Sequence, residues 1–436
     1  MNKIFGEIME IIFRGAALEV GRSCIEVKTD KSKILLDCGV KLGKDIEYPL
    51  LDNSIKDIDK VFVSHAHLDH SGSLPILFSK RIDVPIITTE LTKKLVKVLL
   101  KDMIRISETE NRKIPYNYHD IKETMRYTIP LGYKEKKYYK DFSYELFSAG
   151  HIPGSASILL NYENGKNILY TGDIKLRNTR LTKGADLSYT KDDINVLIIE
   201  STYGNSIHPD RKAVELSFIQ KIKEVLFRGG VALIPVFAVD RAQEIALILN
   251  DYDINAPIYM DGMAVEVTKL MLKYRDMLNE ANQLEKALEN IKLIEKSEDR
   301  VKAVENLSKN GGVVITTAGM LDGGPILYYL KLFMHDPKNA LLLTGYQVRD
   351  SNGRHLIETG KLFIEKEEIK PNLEVCLYNF SCHAGMDELH EIIKKVNPEL
   401  LIIQHGEEVQ ATILRNWALE HGFDAITPKL GDKIRI

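Results

Sequence analysis

The stretch SHAHLDHSG, residues 64–72, sets His65, His67, Asp69 and His70 within six positions, directly after the apolar run KVFV. So many imidazole and carboxylate groups in so short a span suit a metal, Zn²⁺ above all, with Mn²⁺ or Fe as alternatives. A buried strand must end here and deliver the cluster to a sheet edge, where other strand ends can add ligands. A competing explanation, that Asp69 and Ser71 cap a helix beginning at Leu74, accounts for none of the three histidines.

Six residues cannot complete two coordination shells, and three further residues occupy equivalent places. His151 follows YELFSAG, Asp173 follows NILYTG and His405 follows LLIIQ. Singly, each reads more readily as a surface or satisfied core residue. Together they divide into two sites, His65, His67 and His151 for one metal and Asp69, His70 and His405 for the other, with Asp173 bridging. Paired metals about 3.5–4 Å apart are the usual arrangement for hydrolysis. Asp37, ending KILLDCG, is placed to accept a hydrogen bond from a ligand imidazole, although a turn aspartate at a strand end fits nearly as well.

The organisation changes partway along the chain. Short strands dominate to about residue 205, with a helix in LTKKLVKVLLKDMI and charged helix and loop over 101–141. Strands then alternate with helices, a rhythm that predicts βαβ units on a parallel sheet, with a charged helical stretch over 264–310. A length of 436 residues accommodates two domains. The net charge of -3 carries no global basic signal, so any nucleic-acid contact must come from a local patch. Four scattered cysteines read as reduced thiols, and no apolar run approaches membrane-spanning length, so a soluble cytoplasmic protein with no membrane association is expected.

LLDCG, SHAHLDH, GHIPGSAS and TGDI resemble, in order, the motifs of the metallo-β-lactamase superfamily. IIESTYG, NFSCHAG and IIQHGE resemble the three additional motifs of its β-CASP branch, which includes the nuclease subunit of the cleavage and polyadenylation specificity factor, its archaeal relatives and ribonuclease J. VFAVDRAQEI, TTAGMLDGGP and LTGYQVRDSNGR are also similar to β-CASP segments, so the resemblance spans essentially the whole chain. It implies an α/β protein: an αββα metallo-β-lactamase sandwich split into 1–205 plus 385–436, with a β-CASP domain, 206–384, inserted on a mainly parallel sheet with flanking helices. Substrate would lie in the cleft between the domains.

The resemblance also implies two Zn²⁺ ions and an RNA substrate. A hydroxide activated by the metal pair, with Asp69 among the catalytic residues, would attack phosphorus in line. His383 would protonate the leaving 3′ oxygen, oriented by Glu200, leaving 5′-phosphate and 3′-hydroxyl ends. The alternative is that Glu200 caps a turn and His383 only binds phosphate. Lys175, Arg241, Arg349 and Arg354 are candidate phosphate clamps by family position, each equally readable as a solvated charge; Thr317, Gly319 and Ser381 are further candidate RNA contacts. Ser206 stands where relatives often carry arginine.

RNA is favoured over DNA because family members acting on RNA carry histidine at the position of His405. The chain ends about thirty residues after QHGE, without the C-terminal domain of ribonuclease J, which tilts the expectation toward an RNA-processing endonuclease; it starts without the KH modules that archaeal relatives often carry, so a sequence preference that is weak or supplied by partners is expected. A 5′-to-3′ exoribonuclease, a small-molecule metallo-hydrolase and a non-catalytic RNA-binding subunit are the alternatives. A homodimer or membership of an RNA-processing complex is expected.

Overall fold

Runs such as VLIIE and LLIIQ are apolar on both faces, and a strand of that kind must be covered on both sides. The computed structural model, which describes residues 9–436 except 44, 110, 349 and 366, provides those two covers. One seven-stranded sheet has the spatial order 433–435, 10–13, 25–28, 33–36, 60–62, 86–88, 128–130, and a second has the order 425–426, 400–404, 196–200, 167–170, 156–162, 142–148, 137–139. Val196 and Ile198 of the second sheet pack with Ile11, Ile34 and Phe62 of the first. Their neighbours Leu197 and Ile199 point the other way, against Leu389, Ile392 and Ile393 of helix Met386–Val396 and Leu414 of helix Glu408–Glu420. This period of two builds the sheet–sheet core and the sheet–helix layer from the same strand. Helix Glu90–Thr109 buries Leu91, Leu95 and Leu99 beside the first sheet, completing an αββα sandwich.

The strands that end at the chemistry are parallel. Lys33–Leu36 pairs in parallel with Lys60–Phe62, and Asn167–Tyr170, Val196–Glu200 and Leu400–Gln404 run parallel to one another. Their carboxyl ends therefore deliver Asp37, His65, Asp173, Glu200 and His405 in one direction. Asp37 and His405 adopt left-handed backbone angles, φ 61° and 48°, uncommon for residues other than glycine and often found at functional sites.

The chain divides into two compact units. The first contains the described residues through Asn178 with Gly184–Ile207 and Cys382–Ile436, and the second contains Thr179–Lys183 with His208–Ser381. The second unit is built on a six-stranded sheet in the order 291–294, 258–261, 312–316, 231–235, 340–343, 374–377, every pairing parallel, with helices between the strands. It has the parallel strand–helix architecture expected of the inserted domain.

Three details differ from the sequence expectation. The stretch 264–310 is not all helix: Ile291–Ile294 is an edge strand paired with Ile258–Asp261. Four residues between two charged helices are too few to show a period. Strands Thr128–Pro130 and Lys137–Tyr139 are hidden in 101–141 for the same reason. Thr179–Lys183 belongs with the second unit, since Glu244 accepts the backbone N–H groups of Arg180 and Leu181 at 3.1 and 2.8 Å and Glu215 binds the Arg180 guanidinium at 2.8 Å.

Candidate metal centre

The turn after Lys60–Phe62 runs through Ser64 into the short helix Leu68–Ser71, which places His67 and His70 three residues apart on one turn. The Ser71 hydroxyl donates to the Ala66 and His67 carbonyls and Ser73 precedes helix Leu74–Ser79, so neither Asp69 nor Ser71 caps that helix. His151 arrives on a loop held by Thr89 and Thr92, whose hydroxyls donate to the Gly154 carbonyl at 2.7 and 2.9 Å. Gly154 has φ +87°, and a Cβ there would press on both threonines at 3.1 Å.

Four donor atoms converge. His65 Nε2 lies 3.1 Å from His67 Nδ1, which lies 3.2 Å from His151 Nε2; Asp173 Oδ2 is 3.4 Å from the first and 3.6 Å from the last. Bonds of about 2.0–2.1 Å from a tetrahedral metal give ligand–ligand edges of about 3.3–3.4 Å, so these spacings fit one coordination shell. A second group shares Asp173: His70 Nε2 lies 3.3 Å from Asp173 Oδ2 and 3.2 Å from His405 Nε2, and Asp69 Oδ2 lies 3.4 Å from His405 Nε2 and 3.9 Å from His70 Nε2.

Outer partners fix which nitrogen faces inward. His151 Nδ1 donates to the Cys382 carbonyl at 2.9 Å, and His70 Nδ1 donates to Asp37 Oδ2 at 2.7 Å, leaving each Nε2 to the cluster. Asp37 is itself held by the Ser64 amide and hydroxyl at 2.7 and 2.8 Å and by the Tyr170 hydroxyl at 2.6 Å. Tyr170 and Ser64 are the partners that sequence reasoning missed. Their only signal is position, Tyr170 ending a buried strand and Ser64 standing beside the first ligand.

The electrostatics suit a cation. Burial, with neighbouring imidazoles, lowers His65 well below the ordinary range and pushes His67 down to about 3, so both rings are neutral, the form in which imidazole can bind a metal. Burial also opposes charge on His70, but Asp173, Asp37 and Asp69 outweigh it and raise its pKa. Burial opposes charge on Asp173 too, yet His405 and His70 hold it anionic. Asp173 Oδ1 lies 3.2 Å from His405 Nδ1 but is buried without a hydrogen bond, an expensive state for a carboxylate unless a cation satisfies it. The donor set fits divalent metal.

Glu200 and His383 meet beside this cluster. His383 Nδ1 lies 2.8 Å from Glu200 Oε2, and His383 Nε2 lies 4.0 Å from Asp173 Oδ2. Glu200 Oε1 also accepts the Ile174 N–H at 2.8 Å, so the carboxylate both orders a turn and grips the ring.

The candidate RNA contacts fare differently. Lys175 is buried in an ion pair with Glu388 at 2.6 Å, which does not fit a phosphate clamp: burial and a carboxylate already occupy its charge. Arg241 is buried and donates to the Thr344 carbonyl. Gly319 accepts at its carbonyl from Gln347 and packs on Phe237, and Thr317 is buried beside it. Ser381 donates its N–H to Asn379 Oδ1 at 3.0 Å. Arg354 is exposed, paired along its helix with Glu358 at 2.6 Å. Arg349 lies outside the described residues.

A histidine- and aspartate-lined centre at the strand ends of an αββα sandwich defines a metallo-hydrolase of the metallo-β-lactamase type. Residues 242–356 match the family model of the Beta-Casp domain, residues 369–428 that of the Zn-dependent metallo-hydrolase RNA specificity domain, and residues 20–201 that of the anti-Pycsar protein Apyc1. The chain is 86% identical to "Probable RNase MJ4" of Methanocaldococcus jannaschii, over 98% of this chain and all of that protein. It is 38% identical to "RNase aCSPSF2" of Saccharolobus solfataricus, over 97% of this chain and 84% of the other. A crystal structure of a protein of unknown function from Enterococcus faecalis shares the fold, with a TM-score of 0.61 at 15% identity over 98% of this chain and all of that one. The chain belongs to the β-CASP branch of the metallo-β-lactamase superfamily.

Proposed function

We propose that this β-CASP protein is a metal-dependent ribonuclease that cuts RNA internally, leaving 5′-phosphate and 3′-hydroxyl ends. The observation that carries this reading is the pair of buried Glu200 and partly exposed His383 beside Asp173. A small-molecule hydrolase of the same superfamily has no need of a dedicated acid at that place, and a non-catalytic subunit has no need of the complete donor set. The names of the two relatives and the match to an RNA specificity domain support RNA as the substrate.

His65, His67, His151 and Asp173 would hold one Zn²⁺, and Asp69, His70, His405 and Asp173 the other. When bound, such a pair polarises a phosphoryl oxygen and eases deprotonation of water. His383 supplies the other half of the proton balance. Its Nδ1–H is held by Glu200, its Nε2–H faces the cluster, and that proton passes to the 3′ oxygen as the P–O bond breaks. Asp69 is the one partly exposed carboxylate of the set, its side chain 30% accessible, and would orient the attacking water, whose proton leaves to solvent. Asp37 keeps His70 facing the centre throughout. Among the described residues no helix is long and apolar enough to cross a membrane.

The test is RNA labelled separately at each end and carrying 5′-triphosphate or 5′-monophosphate, incubated with and without chelator. Internal cuts on both substrates are expected. Mononucleotides released only from monophosphate ends would instead assign a 5′-to-3′ exonuclease, and absence of any chelator-sensitive product would overturn the enzymatic reading.

A further inference from the structure

His383 and Asp173 belong to segments more than two hundred residues apart in the chain, yet the acid works only if its ring is held against the cluster to within a fraction of an ångström. Three of the links between those segments involve catalytic side chains or the residues next to them: His383 to Glu200, Glu200 to the Ile174 N–H, and the Ala384 N–H to the Ile174 carbonyl at 2.6 Å. A further link takes no part in proton transfer or metal ligation. Glu388, in the first turn of helix Met386–Val396, directs its carboxylate away from the N–H groups of its own helix and into the loop after Asp173. Its Oε2 accepts the Leu176 and Arg177 N–H groups at 2.9 and 3.0 Å, and its Oε1 accepts from Lys175 Nζ at 2.6 Å. Glu388 is 1% exposed and Lys175 7%.

A buried carboxylate facing two backbone donors and one ammonium makes charge-assisted bonds of fixed geometry. The Lys175 N–H in turn donates to the Ala149 carbonyl at 2.9 Å, two residues before His151. One side chain on the helix just beyond His383 thus grips the loop after Asp173, and the backbone of that loop separately reaches the segment before His151.

We propose that Glu388, with Lys175 as its counter-charge, is a positioning residue that holds the His383 segment in register with the Asp173 loop. The proposal rests on the reading of His383 as the acid. None of these bonds is to a donor atom of the cluster, so the effect expected of Glu388 is on the register of His383. Replacing its carboxylate with an amide of the same shape sets an NH2 group against either the two backbone N–H groups or the Lys175 ammonium, and the His383 segment loses its register against the loop.

The test compares Glu388→Gln, His383→Ala and the double variant on RNA and on bis(p-nitrophenyl) phosphate, whose phenolate leaves without protonation. Bound metal per chain is measured for each. Glu388→Gln is expected to lower kcat on RNA by about 10- to 100-fold with KM and metal content unchanged, to leave turnover of the nitrophenyl ester within about twofold, and to add nothing to His383→Ala. Equal loss on both esters, loss of metal, or a loss additive with His383→Ala would overturn it. If His383→Ala itself fails to separate the two esters, the acid reading falls and this proposal with it; if His383→Ala separates them and Glu388→Gln does not, only the positioning proposal falls. Should Glu388→Gln not fold, Lys175→Met, which removes the counter-charge but keeps both backbone bonds to Glu388, carries the same comparison, with a smaller separation in the same direction expected.

Discussion

Glu200 Oε2 lies 2.8 Å from His383 Nδ1, while the other oxygen of the same carboxylate accepts the Ile174 N–H at 2.8 Å. The backbone thus holds the carboxylate and the carboxylate holds the ring. Burial works against a charged His383, but Glu200 and Asp173 outweigh it and raise its pKa above the ordinary value. In the proposed role of acid, His383 is active when protonated, so kcat is expected to fall as pH rises through that raised pKa. Glu200→Gln removes the main opposing charge, and the falling limb of the pH–rate profile moves to lower pH. His383→Ala is expected to lower kcat on RNA by about 10²- to 10⁴-fold and to abolish that limb. Rate profiles of the three proteins check both statements, and an unmoved limb in Glu200→Gln would remove Glu200 from the assignment.

Asp37 accepts from His70, Ser64 and Tyr170 with no exposure to solvent. Asp37→Ala frees the His70 ring, and metal affinity is expected to drop about 10- to 100-fold, read by competition with a chromophoric chelator. Tyr170→Phe removes only one of the bonds to Asp37, so its effect on affinity should be smaller and in the same direction.

Metal binding to the folded chain alone must raise its stability by mass action, about 2.7 kcal/mol at a free metal concentration one hundred times Kd. Melting curves of chelator-treated protein should therefore shift upward on addition of Zn²⁺. Asp173→Ala, which removes the oxygen common to both donor groups, should lose most of that shift. A shift of full size in the variant would exclude Asp173 as a ligand.

Ile198 is fully buried between the two sheets of the sandwich. Ile198→Ala is expected to cost about 2–5 kcal/mol in denaturant unfolding. Arg354 is exposed and pairs along its helix with Glu358, so Arg354→Ala should stay within about 0.5 kcal/mol of the parent. A larger loss at Arg354 would point to a contact that outweighs that pair.

Much of the site is legible in the sequence because most of its groups follow apolar strands closely, and parallel strands bring the residues beyond their carboxyl ends to one edge. The parallel insert is legible through the change of hydrophobic rhythm, whereas the αββα sandwich is legible only through the resemblance of the motifs to a known family. Features that depend on a partner far along the chain escape. Lys175 looks like an available cation until Glu388, 213 residues away, is seen to take its charge. The strand IKLI escapes because an edge strand of four residues leaves no period of its own.

The amino-acid order alone determines which residues stand at strand ends and therefore which donor types reach the centre. It says nothing of which imidazole nitrogen faces inward: Nδ1 for His67 and Nε2 for His65, His70 and His151. That choice belongs to the tertiary structure, because a ring turns toward whichever outer acceptor the fold supplies, the Asp37 carboxylate for His70 and the Cys382 carbonyl for His151. Those acceptors arrive through strand pairings and loop contacts whose sequence separation no local pattern encodes.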